Sequence, residues 1–168
     1  MNKKRDVKVV AINAMIACVY AVLTILCSGL SYGAIQLRFS EIFIFLAFYN
    51  KKYIPGLIIG CFLANIPSPL GFADIIFGTL ATTLATIVMY KVSNLYIGAI
   101  AGAVINGIIV GGELYFILHL PFFMNMFYVF VGEFIVLLVG CFLFKEILPA
   151  VRECLILLQD NISQILGK

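Results

Sequence analysis

Apolar residues run along this chain in long stretches, and most polar residues fall between the stretches rather than inside them. Crossing a bilayer takes about 17–25 mostly apolar residues in helical form, so each stretch of that length reads as a membrane-spanning helix. The pattern predicts a first helix over 7–28, a fourth over 72–90, a fifth over 95–118 and a sixth over 122–144. Two shorter segments lie between the first and the fourth. The region 33–49 opens on Gln36, Arg38, Ser40 and Glu41 and continues as a short helix. Lys51 and Lys52 then break the apolar run, and a third segment extends from about Tyr53 to Asn65. Pro67-Ser68-Pro69-Leu70-Gly71 ends it with a strong turn signal. Over 147–166, Leu148, Val151, Leu155, Leu158, Ile162 and Ile165 recur at helical spacing among polar residues, which predicts an amphipathic helix on the cytoplasmic surface.

Charge placement decides how the short segments are counted. With a cytoplasmic amino terminus and six crossings, Arg38 is the one basic residue of the 11 left outside; Lys3, Lys4, Arg5, Lys8, Lys51, Lys52, Lys91, Lys145, Arg152 and Lys168 all fall inside. Merging segments two and three breaks that sorting. The expected fold is therefore all-α and polytopic, a six-helix transmembrane bundle over 1–146 with an amphipathic cytoplasmic tail over 147–168 and both termini cytoplasmic. No repeat supports a transporter built from two inverted halves.

Composition narrows the function. Of the 168 residues 64% are hydrophobic and 11% charged, which excludes an ordinary soluble domain. The formal charge of +3 marks topology: the basic residues are not gathered with aromatics as nucleic-acid binding requires. Lys3-Lys4-Arg5 resembles the start of a signal peptide, but the apolar stretch from Val7 to about Leu26 exceeds a normal signal core and predicts a retained helix. The five cysteines, Cys18, Cys27, Cys61, Cys141 and Cys154, lack metal-ligand or redox-pair spacing and read as packing residues. No GxxxxGK[ST] segment is present, so energy from ATP would have to come through partners. One histidine, His119, at the outer end of helix five, leaves no catalytic or metal set, so neither an enzyme nor a cofactor is expected.

The remaining chemistry sits in acids placed where acids are expensive. Asp6, Glu146, Glu153 and Asp160 lie in cytoplasmic flanks, whereas Glu41, Asp74, Glu113 and Glu133 lie within or at the ends of helices. A charged side chain deep in a spanning helix costs about 2.5–3.5 kcal/mol on insertion scales, so such residues face a cavity or a partner. Arg38 could simply pair with Glu41, and Asp74 could simply cap its helix. Glu113 and Glu133 have no such ready account. Asn106 lies seven residues before Glu113 and so projects from nearly the same face, about two turns deeper. Four acids against one arginine favour a substrate that is cationic or rich in hydrogen-bond donors, and a purine-like base fits. Tyr32, Tyr115, Phe122, Phe123, Phe127 and Tyr128 are candidates to stack on its ring, beside their ordinary roles in core and interface. A carrier working alone, in which Glu113 and Glu133 titrate to couple uptake to protons or cations, is the alternative. Ala17 and Ala21 on helix one form a small-xxx-small pair suited to packing inside the bundle or against another subunit.

Several segments in order resemble one family: Ile35-Gln36-Leu37-Arg38-Phe39-Ser40-Glu41, Ile54-Pro55-Gly56 through Ala64-Asn65, Ser68-Pro69-Leu70-Gly71 through Asp74 with Phe77-Gly78-Thr79-Leu80-Ala81-Thr82, Asn106 through Gly111-Gly112-Glu113-Leu114, and Val131-Gly132-Glu133. Over about residues 5–145 the chain resembles the queuosine precursor transporter (QueT) family, substrate-binding S components of energy-coupling-factor importers. The resemblance implies capture of a 7-deazaguanine from outside and docking on a module of one transmembrane scaffold protein and two cytoplasmic ATPases. It also implies that Ala17 and Ala21 face the scaffold, and that the S component tips in the membrane during transport. By position it implies Asn106, Glu113 and Glu133 as principal ligand contacts, with Arg38, Glu41, Asn65 and Asp74 as the outer polar group. Where relatives tend to carry Pro-Phe-Trp after helix five, this chain reads Pro121-Phe122-Phe123 and has no tryptophan.

Overall fold

The structure is a computed structural model that describes residues 3–32, 36–147 and 149. The described residues form helices and turns only, and no strand occurs among them. Seven α-helices follow in chain order: α1 (Lys3–Leu26), α2 (Ser28–Ser31), α3 (Phe45–Tyr49), α4 (Ile54–Asn65), α5 (Phe72–Lys91), α6 (Leu95–Leu118) and α7 (Phe122–Phe142). A 3-10 turn, Phe39–Ile44, leads into α3, and another, Lys51–Tyr53, joins α3 to α4. A π turn, Leu143–Ile147, continues α7.

Helices α5, α6 and α7 start where the apolar pattern places them, and their limits have local causes. Gly71 precedes α5 with φ +58°, a left-handed conformation that glycine adopts without the penalty a Cβ imposes. Asn94 caps α6 by accepting from Tyr96 N–H at 2.9 Å. His119 closes α6 in the left-handed region, with Pro121 just beyond it.

The six-crossing expectation is met only in part. Four stretches are long and apolar enough to cross a membrane: Val7–Leu26, Phe72–Lys91, Leu95–Leu118 and Phe122–Glu146. Segments two and three form instead a short hairpin, Phe39–Tyr49 descending and α4 returning. At about 1.5 Å per residue the 12 residues of α4 rise only about 18 Å, well short of a hydrocarbon core of about 30 Å. The amphipathic tail expected over 147–168 lies outside the described residues apart from Ile147 and Pro149.

Neighbours in space follow a simple order: α1 packs on α4, α4 on α5, α5 on α6, and α6 on α7. The Phe39–Tyr49 segment fills the middle, touching α1, α5 and α7. Its lower end seats in a dry core with Ile44 and Phe45 against Met89, Ala103 and Leu137. Small residues allow the close approaches. A Cβ on Gly111 would lie 2.8 Å from Met126 Cα, so α6 and α7 meet backbone to backbone there. Outward positions such as Met15, Leu26, Phe72 and Phe123 are exposed and apolar, as a lipid-facing surface requires.

The hairpin is tied to α1 by polar contacts. Asn13 donates to Lys52 O at 2.8 Å and accepts from Gly56 N–H at 2.6 Å. The second contact satisfies one of the donors that the first turn of α4 leaves without an intrahelical partner. Lys51, Lys52, Lys91 and Lys145 gather at this end of the bundle; Arg38, Asn65, Asp74 and Glu113 lie toward the other.

Candidate substrate-binding site

The seven polar residues expected to contact a ligand are all buried in the bundle: Arg38, Glu41, Asn65, Asp74, Asn106, Glu113 and Glu133. They fall into two tiers bridged by the arginine.

The inner tier is well supplied with partners. The Tyr20 hydroxyl and the Thr82 hydroxyl each donate to Glu41 Oε1 at 2.5 Å, while Glu41 Oε2 has no partner. Across α6 and α7, Asn106 Nδ2 donates to Gly102 O at 3.2 Å and reaches Glu133 Oε1 at 3.4 Å. Glu41 and Arg38 lie near enough to Glu133 for their charges to act on it. The simple pairing of Arg38 with Glu41 does not occur: Glu41 binds hydroxyls, and Arg38 Nη1 rests 3.8 Å from Cys61 Sγ. Cys61 is more than packing. Its sulfur meets Asn65 Nδ2 at 3.5 Å and Thr82 Oγ1 at 3.2 Å, at the crossing of α4 and α5. Gly78 makes room for this junction, since a Cβ there would lie 2.7 Å from Asn65 Nδ2 and 3.6 Å from Arg38 Nη1.

The outer tier is poorly supplied. Asp74 is not a helix cap; the residue preceding α5 is Gly71, and Asp74 Oδ2 instead accepts from the Ser68 hydroxyl while Oδ1 has no partner. Glu113 has 0% exposure, and neither of its carboxyl oxygens has a hydrogen-bond partner. The two carboxyls lie within hydrogen-bond reach of each other, so a proton shared between them would serve one oxygen of each. Asn65 Oδ1 is a further buried acceptor left free. Native interiors hold few unsatisfied buried polar atoms, so this concentration calls for an explanation.

A cleft of about 290 Å³ reaches this tier from the surface, lined by Tyr32, Gln36, Ser68, Asp74, Leu114 and Asn125 among others. The volume is near the lower end of small-molecule sites, which suits a compact heterocycle. The Tyr32 ring lies 5.9 Å from the Arg38 guanidinium, and its hydroxyl donates to Ala64 O. Burial pushes the Tyr32 phenol up. Of the other aromatic candidates, Phe123 and Phe127 face outward at 78% and 59% exposure, and Tyr115 is also exposed; these belong to the lipid surface. Among the described residues no cluster of histidine, cysteine and acids could hold a metal ion.

Of the two readings of Ala17 and Ala21, packing inside the bundle has direct geometry behind it. Both are buried, and α1 packs there on α4, where a Cβ on Gly60 would lie 3.0 Å from Ala17 Cα. Ala17 nevertheless forms part of the floor of an apolar groove of about 590 Å³ between α1 and α4, with Val10, Ala14, Lys52, Pro55 and Ile59 around it.

Tyr20, Cys61, Ser68, Thr82 and Asn125 were not among the expected site residues. A hydroxyl or thiol embedded in an apolar run is cheap in a membrane helix and therefore carries little signal. Tyr20 and Thr24 do stand four apart on one face of α1, and that spacing was the available hint.

The family model described as QueT transporter matches residues 10–149. The chain belongs to the QueT transporter family. A relative from Lactococcus lactis subsp. cremoris (strain MG1363), described as "Queuosine precursor transporter QueT", is 32% identical over 163 residues, covering 88% of this chain and 95% of the relative. No solved structure matches. The matched segment contains both tiers.

Proposed function

We propose that this chain is the substrate-binding S component of an energy-coupling-factor importer, capturing a queuosine precursor or salvage base of the 7-deazaguanine type. The single observation carrying the proposal is Glu113, a carboxyl buried in the bundle with both oxygens unpartnered, beside the unpartnered Oδ1 of Asp74. Such acids are too costly to keep unless a ligand compensates them. Asn106, Glu113 and Glu133 would make the main contacts, a carboxylate accepting paired N–H groups of a guanine-type edge and the amide both donating and accepting. Arg38, Glu41, Asn65 and Asp74 would complete the chamber.

In this reading the lysine-rich end is cytoplasmic, as the positive-inside rule favours, and both termini lie on that side with an amphipathic tail over 147–168. The cleft then opens outward. Two cytoplasmic ATPases and a transmembrane scaffold supply the energy, since no phosphate-binding loop occurs in the sequence. The groove over Ala17 is the face offered to the scaffold, and Ala21 contributes by packing.

Equilibrium binding of 7-deazaguanines to purified protein tests the substrate: saturable binding without ATP is expected, and its absence for every such ligand removes the assignment. The facing acids also favour a second reading, a proton- or cation-coupled carrier working alone. Vesicles holding only this chain separate the two. Uptake there that collapses with an uncoupler supports the carrier; uptake that requires the coupling module and ATP supports the S component.

A further inference from the structure

The cleft that opens on the outer tier has walls of two kinds. Pro69, Leu114, Leu118 and Leu120 are apolar, while Gln36 and Asn125 each bring a carboxamide to the same space of about 290 Å³. The two amides come from different elements, Gln36 from the stretch before the Phe39–Ile44 turn and Asn125 from the first turn of α7. Both side chains are more than nine-tenths buried, at 7% and 8% exposure. No side chain–side chain hydrogen bond among the described residues involves either one. Burying an amide costs free energy unless its donors and its acceptor are met, so carboxamides lining a cleft call for a partner inside it.

Asn125 has a fixed orientation. Its Nδ2 donates to Pro121 O at 2.7 Å, and its own backbone N–H donates to the same oxygen at 3.2 Å. A carbonyl oxygen can only accept, so the amide must turn its N–H₂ to Pro121, and Oδ1, an acceptor, is the end left for the cleft. Resting on the substrate class proposed above, we infer that Asn125 is a specificity-determining residue whose Oδ1 accepts from the donor edge of the base, the N1–H and 2-amino group of a guanine-type ring. The apolar walls take the faces of that ring. A free amide could turn over to suit either kind of edge; this one cannot do so without giving up its bond to Pro121. An adenine-type ring carries a lone pair at N1, which sets acceptor against acceptor and leaves Oδ1 unpaired in a nearly dry site. Sites built to receive a hydrogen bond reject analogues that cannot make it more strongly than apolar pockets reject a change of size.

The test uses the full chain in nanodiscs and two probes, 7-deazaguanine and 7-deazaadenine, titrated calorimetrically. Wild type is expected to bind the first about tenfold or more tighter, the scale of one base-edge contact. In Asn125→Leu, which keeps roughly the size of the side chain, and in Asn125→Ala, the ratio should fall to within about twofold of parity, because 7-deazaguanine loses affinity and 7-deazaadenine does not. A residue that only held the corner in shape would weaken both ligands alike and leave the ratio unchanged. Each variant is first checked for a cooperative melt; misfolding of one leaves the other to decide, and the wild-type ratio is a measurement independent of both. Equal binding of the two probes to wild type overturns the role of Asn125 while leaving the substrate class intact. Retention of the full ratio in a folded variant overturns it as well. Failure of both probes to bind wild type removes the substrate class and the inference together.

Discussion

Glu113→Gln should make the ligand-free protein more stable, and Glu41→Gln should make it less stable. The two substitutions are chemically identical, and both sites are buried. Their surroundings differ. Beyond a proton shared with Asp74, Glu113 has no donor on either oxygen, so the native state bears the cost of a poorly compensated buried carboxyl, about 1–3 kcal/mol for an unsatisfied polar group. A glutamine there removes the charge and brings an N–H₂ that can donate to Asp74 Oδ1, itself free. A gain of about 1–2 kcal/mol follows, or roughly 3–6 °C in Tm for a chain of this size. Glu41 Oε1 accepts from Tyr20 and Thr82, and bonds to a charged acceptor are about twice as strong as neutral ones. Its replacement should cost about 1–2 kcal/mol. Thermal unfolding in nanodiscs without ligand reads both signs. Saturating ligand at about 100 times Kd should then add about 2.7 kcal/mol to wild type, with the advantage of Glu113→Gln disappearing. A Glu113→Gln protein that melts below wild type by the same margin as Glu41→Gln would show that Glu113 is already compensated, and the case for a ligand there would fall.

Other expectations follow from the packing. Asn13→Ala removes two hydrogen bonds to the hairpin and exposes the first turn of α4, so it should cost about 1–3 kcal/mol and speed proteolysis near Lys51 and Lys52. Gly111→Ala drives a Cβ into the Met126 backbone at 2.8 Å, whereas Gly112→Ala meets nothing nearer than Phe122 Cε2 at 4.0 Å. The first should lose about 1–3 kcal/mol, while the second should match wild type or gain slightly, as read by the same melts. Tyr20→Phe keeps the ring but takes a donor from Glu41, and should weaken binding of a 7-deazaguanine by about tenfold in a calorimetric titration.

Much of this architecture was legible because the bilayer imposes one strict demand, an apolar helix of a given length. Helices α5 and α6 begin at Phe72 and Leu95 as expected, since caps and turn residues mark those points. The hairpin resisted the same reading. Phe39–Tyr49 and α4 are as apolar as true spans, but length, not composition, decides crossing, and the tie through Asn13 that sets their depth joins residues 39 and 43 positions apart. In the site, the acids declared themselves by their cost in lipid, and all four are buried. Their partners did not. Tyr20, Thr82 and Cys61 look like ordinary members of apolar helices, and only the fold brings them to Glu41 and Arg38. The exposed rings of Phe123 and Phe127 show the converse: an aromatic near a candidate pocket in sequence has no preference for pointing into it.

Three polar grips spaced along one face of α1 bear on how the molecule could be driven. Asn13 holds the lower tip of the hairpin, Tyr20 holds Glu41, and the Thr24 hydroxyl lies 2.6 Å from that of Ser40. Sliding this helix by a single residue, about 1.5 Å, would sever all three at once. The first helix and the hairpin must therefore travel as one rigid body. A push delivered to the lipid side of α1 would haul Arg38 and Glu41 along with it, past Asp74, Glu113 and Glu133, which stay on α5, α6 and α7.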